Sequence, residues 1–242
     1  MATVLLAVVV FATALDGSAA QHGSSSAHPS EKGWSQPDGS RVVVTTDDLW
    51  RLGFPKLDKS VRDYYESGAD QEQTLHENEA AFQRLRLRYR VLNTTPRRVL
   101  KTKLLGHCVD MPVGIAPSAM QKMAHKDGEK GTAAACQAFN TVMILSTLSS
   151  TPLEKVRKAA PNALLWLQLY VFKNRSVTTE LIHRAEKAGY KALVLTVDTP
   201  AWGQRIVDVR NAFTIPTGIT IANFENSRYD HFDRIKGSGL TK

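Results

Sequence analysis

A chain of 242 residues with 43% hydrophobic content carries enough apolar material for a sizeable core, which excludes a wholly disordered protein and suits one large domain or two small ones. The 31 Lys and Arg against 23 Asp and Glu give a net charge of +8, a balance equally suited to an acidic partner or to an enzyme that takes anionic substrates. Only Cys108 and Cys136 are present, in no metal-ligand spacing, and the seven histidines form no H-E-x-x-H pair, so neither a disulfide scaffold nor a metal site is indicated. Both cysteines read as buried thiols, and His183, in a helical pattern, reads as a surface residue.

The N-terminal residues Val4 to Leu15 form an apolar run too short to span a bilayer, followed by Ser18-Ala19-Ala20 as the small residues of a cleavage site. Residues 1–20 therefore read as a secretory signal, although the n-region holds no Lys or Arg. Gln21 to Gly39, rich in Ser, Gly, His and Pro, reads as a disordered linker, and the fold is expected to begin near Arg41 and to fill 41–242. Export would make Asn93-Thr94-Thr95 and Asn174-Arg175-Ser176 glycosylation candidates.

Thr46 or Asp47 can cap a short helix over Leu49 to Leu52. A second helix is predicted from Asp58 to Ser67, with Val61, Tyr64 and Tyr65 on one face and Gly68 as its stop. Arg84, Arg86, Arg88 and Arg90 alternate with Leu85, Leu87 and Tyr89, so an extended segment would place the arginines on one face. A polyanion site is conceivable there, but no nucleic-acid-binding signature accompanies the stripe, which reads as a solvated face.

Apolar runs follow at Val113 to Ala116, Thr141 to Ser146, Ala163 to Tyr170 and Ala192 to Val197, without clean alternation, as in strands buried on both faces. Helical stretches separate them. Gly128 to Phe139 is Ala-rich, and Thr151-Pro152-Leu153-Glu154 reads as a capping box with Pro at the first helical position. After Ser176 as cap, Leu181, Ile182, Ala185 and Ala188 form an apolar face that Gly189 ends. The alternation predicts an α/β fold with four βα units of a parallel sheet or (β/α)₈ barrel, preceded by short helices.

In such barrels the chemistry sits at the C-terminal ends of the strands. Pro117-Ser118-Ala119 follow the first strand, Ser146 the second and Gln168 with Tyr170 the third, while Thr196 and then Arg205 follow the fourth. Together they offer backbone amides, hydroxyls, an amide side chain, a phenol and a guanidinium, a set suited to a planar hydrogen-bonding ligand beside a small anion. Singly, each also fits a turn-former, a backbone-bonding hydroxyl, a core phenol or a surface charge.

The strings YYESGAD, IAPSAMQKMAHKDGE, QLYVFKNR, AEKAGYKALVLTVDTP and VRNAF, in this order, resemble the FMN-dependent 2-hydroxy-acid oxidases and dehydrogenases, glycolate oxidase-like members in particular. The resemblance covers about residues 43 to 224 and implies the N-terminal half of a TIM barrel. It implies FMN as cofactor, with Pro117, Ser118 and Ala119 lining the flavin ring and Ser146, Gln168 and Thr196 hydrogen-bonding it. Tyr64 and Tyr170 would reach a small 2-hydroxy acid, and Arg205 would pair with its carboxylate.

The implied reaction oxidises an (S)-2-hydroxy acid to the 2-oxo acid, with electrons passing through flavin to oxygen to give hydrogen peroxide. The implied catalytic histidine, second arginine, lysine near the flavin and phosphate site match no position here, so no catalytic base is assigned and the chain alone is expected to be inactive. Leu148 stands where the glycolate oxidases carry a tryptophan over the substrate, which makes a bulkier hydroxy acid plausible, and Ser118 replaces a common threonine. The resemblance implies a homo-oligomer for a complete chain and peroxisomal residence as the alternative to export. No nucleic acid and no membrane span are expected. The competing reading is a non-catalytic half-barrel that acts by pairing with a partner chain.

Overall fold

The computed structural model describes residues 43–93, 98–198 and 203–225. The leader-like run, the linker, Thr94 and Thr95 of the first glycosylation triplet, Thr199-Pro200 and the tail beyond Glu225 lie outside them.

Three helices lead in: α1 (Thr46–Gly53), α2 (Lys59–Glu66) and α3 (Gln73–Gln83). The cap of α1 is Thr45, one residue before the predicted candidates: its hydroxyl accepts from the Asp48 amide at 3.2 Å, and Asp48 reaches back to the Thr45 amide at 2.8 Å. Helix α2 buries Val61 and ends at an extended Ser67, so Gly68 does not terminate it; the Gly68 amide bonds the Glu72 carboxylate at 2.9 Å instead. Helix α3 has no counterpart among the predicted elements. The arginine stripe that follows runs as unpaired chain with Leu85, Leu87 and Tyr89 exposed, not as a strand with two distinct faces.

An unpredicted antiparallel hairpin, β1 (Thr102–Leu104) with β2 (His107–Val109), turns through Leu105 and Gly106, both at positive φ. It leaves Cys108 exposed, contrary to the buried-thiol reading. Cys136 is buried as expected, and desolvation pushes its thiol up to about 11.

The α/β body is α4 (Gly128–Ala138), β3 (Val142–Leu145), α5 (Leu153–Ala159), β4 (Leu164–Leu169), α6 (Arg175–Lys187) and β5 (Leu193–Leu195), followed by a short α7 (Ile206–Arg210). Strands β3-β4-β5 form a parallel sheet in chain order, with Leu145 opposite Leu167 and Gln168 opposite Val194. The run at Val113 to Ala116 contributes only one parallel bridge, Ile115 to Met143, in place of a full strand. The backbone comes so close there that a Cβ on Gly114 would lie 2.4 Å from Val142 Cγ1.

Alternation sorts the sheet into two faces. Met143, Leu145, Leu165, Leu167 and Leu169 meet Ala133, Val156, Leu181 and Ala185 of the helices in one buried cluster. Each fully buried leucine there contributes about 1.5–3 kcal/mol of apolar transfer. Ile144, Trp166, Gln168 and Val194 point to the opposite face, the inner side of the curved sheet.

Two further predicted caps are replaced. Helix α5 starts at Leu153 with Pro152 as its cap, because the Thr151 hydroxyl donates to Glu129 and Glu154 pairs with Arg184 rather than closing a box. Helix α6 is capped by Asn174, whose side chain accepts from the Ser176 amide at 3.1 Å, two residues earlier than predicted and on a predicted glycosylation asparagine. Gly189, at φ +77, does end it. Arg157 then gathers the carbonyls of Ala163, Ala188 and Gly189 at 2.8–3.1 Å, tying the C-terminal ends of α5 and α6 together; desolvation holds its guanidinium below the ordinary arginine value.

Candidate active site

Three of the predicted residues meet where β3, β4 and β5 end. Gln168 is buried and donates from Nε2 to Thr196 Oγ at 2.8 Å, while its Oε1 accepts from the Thr147 amide at 2.9 Å. The Thr147 hydroxyl closes the ring on the Gln168 carbonyl at 2.5 Å, and Ser146 Oγ accepts from the Leu148 amide at 3.1 Å. Among the described residues these bonds leave the second Nε2 proton of Gln168 and the hydroxyl protons of Thr196 and Ser146 without an acceptor, so the strand ends carry a row of donors. Such a row complements the carbonyl and imine acceptors at the pyrimidine end of a flavin.

Pro117, Ser118 and Ala119 form the adjoining half-buried loop. Two groups not foreseen from the sequence pin it. The Tyr65 hydroxyl donates to the carbonyls of Ala119 and Met120 at 3.1 and 2.9 Å, and burial pushes its phenol well above the ordinary range. Glu129 is wholly buried and accepts from the amides of Gln121 and Ser150 at 2.9 and 2.8 Å and from the hydroxyls of Ser150 and Thr151, both at 2.8 Å. Every one of these donors is neutral, so hydrogen bonds compensate the desolvation of its carboxylate. The loop after Ile115 and the loop after β3 are thereby fixed to one another.

Asn223 does the same from the C-terminal side. Its Oδ1 accepts from the Leu153 amide at 3.0 Å and its Nδ2 donates to the Thr147 carbonyl at 2.9 Å, which docks residues 218–224 beneath the β3 turn.

Tyr64 and Arg205 form a second group. Arg205 Nη2 donates to the Tyr64 carbonyl at 2.5 Å and to Ser67 Oγ at 3.2 Å, and its guanidinium lies 4.9 Å from the Tyr64 ring centre. The other face of that ring stacks on Phe213 at 4.8 Å. Burial raises the Tyr64 phenol, Arg205 opposes the shift, and Asp208 and Tyr170 add to it, which puts Tyr170 within electrostatic reach of Tyr64. Tyr170 is itself raised by burial, with Asp198 adding to the shift. The two groups are joined through consecutive residues of α2, since Tyr65 holds the 117–120 loop and Tyr64 holds Arg205.

Leu148 is partly buried against the core cluster. His183 lies on the surface, as its helical context suggests. Among the described residues no group of three or more His, Cys, Asp or Glu could hold a metal ion, and no helix is long and apolar enough to cross a membrane.

Of the residues missed, Tyr65 shares the packed helix face of Val61, but nothing local marks its hydroxyl as a clamp, and nothing local marks Glu129 as buried. Asp208 could have been found from its position three residues after Arg205 on a helix. Ser67 and Asn223 carry no sequence signal.

Residues 55–236 match the model of the FMN-dependent dehydrogenase family. The chain is 49% identical over 185 residues to 2-Hydroxyacid oxidase 1 of Homo sapiens, covering 76% of this chain and 50% of that protein. It is 46% identical over 198 residues to Glycolate oxidase 3 of Arabidopsis thaliana, covering 82% and 54%. The structure superposes on mandelate oxidase with (S)-4-hydroxymandelic acid at a TM-score of 0.70 and 32% identity, over 74% of this chain and 50% of that one. The chain spans about half the length of the curated relatives it matches. A parallel α/β sheet in barrel order, donors gathered at its strand ends and a family match over most of the described residues lead to one assignment: the chain belongs to the FMN-dependent dehydrogenase family, with a partial TIM-barrel fold.

Proposed function

We propose that this chain builds the flavin and substrate wall of an FMN-dependent oxidase that converts a small (S)-2-hydroxy acid to the 2-oxo acid with formation of hydrogen peroxide. The observation that carries this reading is the buried Gln168, held at both ends of its amide by Thr196 and Thr147, with its second Nε2 proton left without a partner among the described residues. Gln168, Thr196 and Ser146 would hold the ring of FMN, with Pro117, Ser118 and Ala119 beside it. The bound flavin supplies a two-electron acceptor. Tyr64, Tyr170 and Arg205 orient the acid, with Arg205 taking its carboxylate through a charge-assisted hydrogen bond. The relatives named glycolate oxidase and 2-hydroxyacid oxidase support this substrate class.

In the same reading residues 1–20 are an export leader, 21–40 a linker and 41–242 the partial barrel. Residues 1–242 alone do not turn over substrate, because no position matches the catalytic histidine that the family resemblance implies. The test mixes the purified chain with a separately produced second half of a glycolate oxidase barrel, FMN and glycolate. A retained flavin spectrum and peroxide formation are the expected result, with Gln168→Leu abolishing flavin retention. Failure of the wild-type mixture to hold flavin would refute the reading, and turnover by the chain alone would refute the inactivity.

A second reading, a non-catalytic half-barrel that acts by pairing, rests on β5. Among the described residues it has a neighbour strand on one side only, with Leu193 45% and Leu195 51% exposed. Light scattering after size exclusion, with and without the second barrel half, tests it: a defined dimer or hetero-complex supports pairing, and a monomer in both samples rules it out.

A further inference from the structure

Arg205 is not a free fork. Its Nε donates to Asp208 Oδ2 at 2.5 Å, and its Nη2 is spent on the Tyr64 carbonyl and the Ser67 hydroxyl. Nη1 makes no hydrogen bond among the described residues, and the side chain as a whole is 37% exposed, which leaves Nη1 as the guanidinium nitrogen not engaged by them. Asp208 is only 15% exposed, and its second oxygen, Oδ1, is buried without a hydrogen-bond partner among the described residues. A carboxylate with one unsatisfied buried oxygen costs desolvation, and its hydrogen bond among the described residues is to Arg205. The Tyr64 ring under the guanidinium, backed by Phe213, fixes the plane in which Arg205 lies.

We infer that Asp208 is a positioning residue for Arg205: it locks Nε so that Nη1 alone meets the carboxylate of the substrate, end-on rather than as a bidentate fork. This rests on the proposed role of Arg205 as the carboxylate reader. It extends that role, since Asp208 acts through Arg205, by fixing the orientation of the cation. Two consequences oppose one another when Asp208 is replaced. Losing its charge strengthens the general attraction of anions, whereas losing its oxygen frees the fork to rotate. Asn keeps an oxygen that accepts from Nε and Ala does not, so the pair separates orientation from charge.

The experiment uses the full 242-residue chain, labelled with ¹⁵N, and has two arms. The first follows arginine Nε–H resonances without any ligand, with Arg205→Lys identifying the signal. The expected result is a downfield, slowly exchanging Nε–H for Arg205 that Asp208→Ala abolishes and Asp208→Asn largely keeps. An Arg205 signal unchanged in Asp208→Ala overturns the inference. The second arm titrates glycolate: Asp208→Ala is expected to lose about tenfold in affinity, on the scale of one charge-assisted hydrogen bond, with Asp208→Asn within about threefold of wild type. Asp208→Ala binding as tightly as wild type, or Asp208→Asn as weakly as Asp208→Ala, also overturns it. Failure of the wild-type chain to bind glycolate counts against Arg205 as carboxylate reader, and the ligand-free arm still decides the role of Asp208. Circular dichroism identifies a variant that fails to fold, in which case Asp208→Leu, of similar size and without an oxygen to accept from Nε, takes the place of Asp208→Ala, and an Arg205 signal unchanged in it overturns the inference.

Discussion

Replacing Glu129 tests how the two site loops are held. Its Oε1 accepts from the amides of Gln121 and Ser150 and from the Ser150 hydroxyl, and its Oε2 accepts from the Thr151 hydroxyl, all at full burial. Glu129→Ala strands two amides that cannot reorient and opens a cavity, whereas the two hydroxyls can turn elsewhere. Each stranded buried donor costs about 1–3 kcal/mol, so the expected loss is about 3–5 kcal/mol. Glu129→Gln keeps the shape and, with its carbonyl placed at Oε1, keeps both amides satisfied. Its NH₂ then meets hydroxyls that can accept, and the loss falls to about 1–2 kcal/mol.

Urea unfolding followed by far-ultraviolet circular dichroism measures both. With a slope of about 2 kcal/mol per molar, the midpoints fall by about 2 M for Ala and by less than 1 M for Gln, the slope itself unchanged. Total stabilities of about 5–15 kcal/mol mean that Glu129→Ala can fail to fold, and Glu129→Gln then carries the comparison. An Ala midpoint within about 0.3 M of wild type would refute the clamp, because two amides of the site loops would have found other partners.

Gly114→Ala forces a Cβ to within 2.4 Å of Val142 Cγ1 and 3.0 Å of the Val142 carbonyl. The expected cost is about 1–3 kcal/mol, read as a lower melting temperature together with faster amide exchange at Ile144, which bonds the Ile115 carbonyl. Asn223→Ala leaves the Leu153 amide and the Thr147 carbonyl without their partner; faster proteolysis within 217–221 is expected, and wild-type cleavage rates would count against the docking role. Burial pushes the Glu154 carboxyl up, but the hydrogen bonds and charge of Arg184 outweigh it and leave it below the ordinary 4.5. Its folded pKa is thus below its unfolded one, so its contribution is complete above the unfolded value and lost as pH falls through the folded value. Glu154→Gln should therefore flatten the fall in melting temperature between about pH 5 and 3, and an unaltered pH profile would remove Glu154 from that account.

Much of the α/β order was legible because apolar runs bounded by turn residues leave few alternatives to buried strands. The runs at 141, 163 and 192 became β3, β4 and β5, and Gly189 ended α6 as its freedom at positive φ suggests. The helix caps were less legible. A Thr-Pro-Leu-Glu string permits a capping box, but Thr151 and Glu154 found stronger partners in Glu129 and Arg184, which come from distant parts of the chain. The arginine stripe failed for the same kind of reason: alternation predicts a two-faced segment only where a neighbouring strand exists to define the faces.

By itself the sequence determined the family, the parallel βα order and the chemical types at the strand ends, since these depend on local pattern and on which residues follow each apolar run. The tertiary structure alone decided that Gln168 and Thr196 share a bond and that Tyr65 and Glu129 hold the site loops. It also decided that Arg205 lies between Tyr64 and Asp208. Hydrogen bonds and burial depend on which segments meet in space, and residues as far apart as Tyr64 and Arg205 are brought together by packing that no local stretch of sequence encodes.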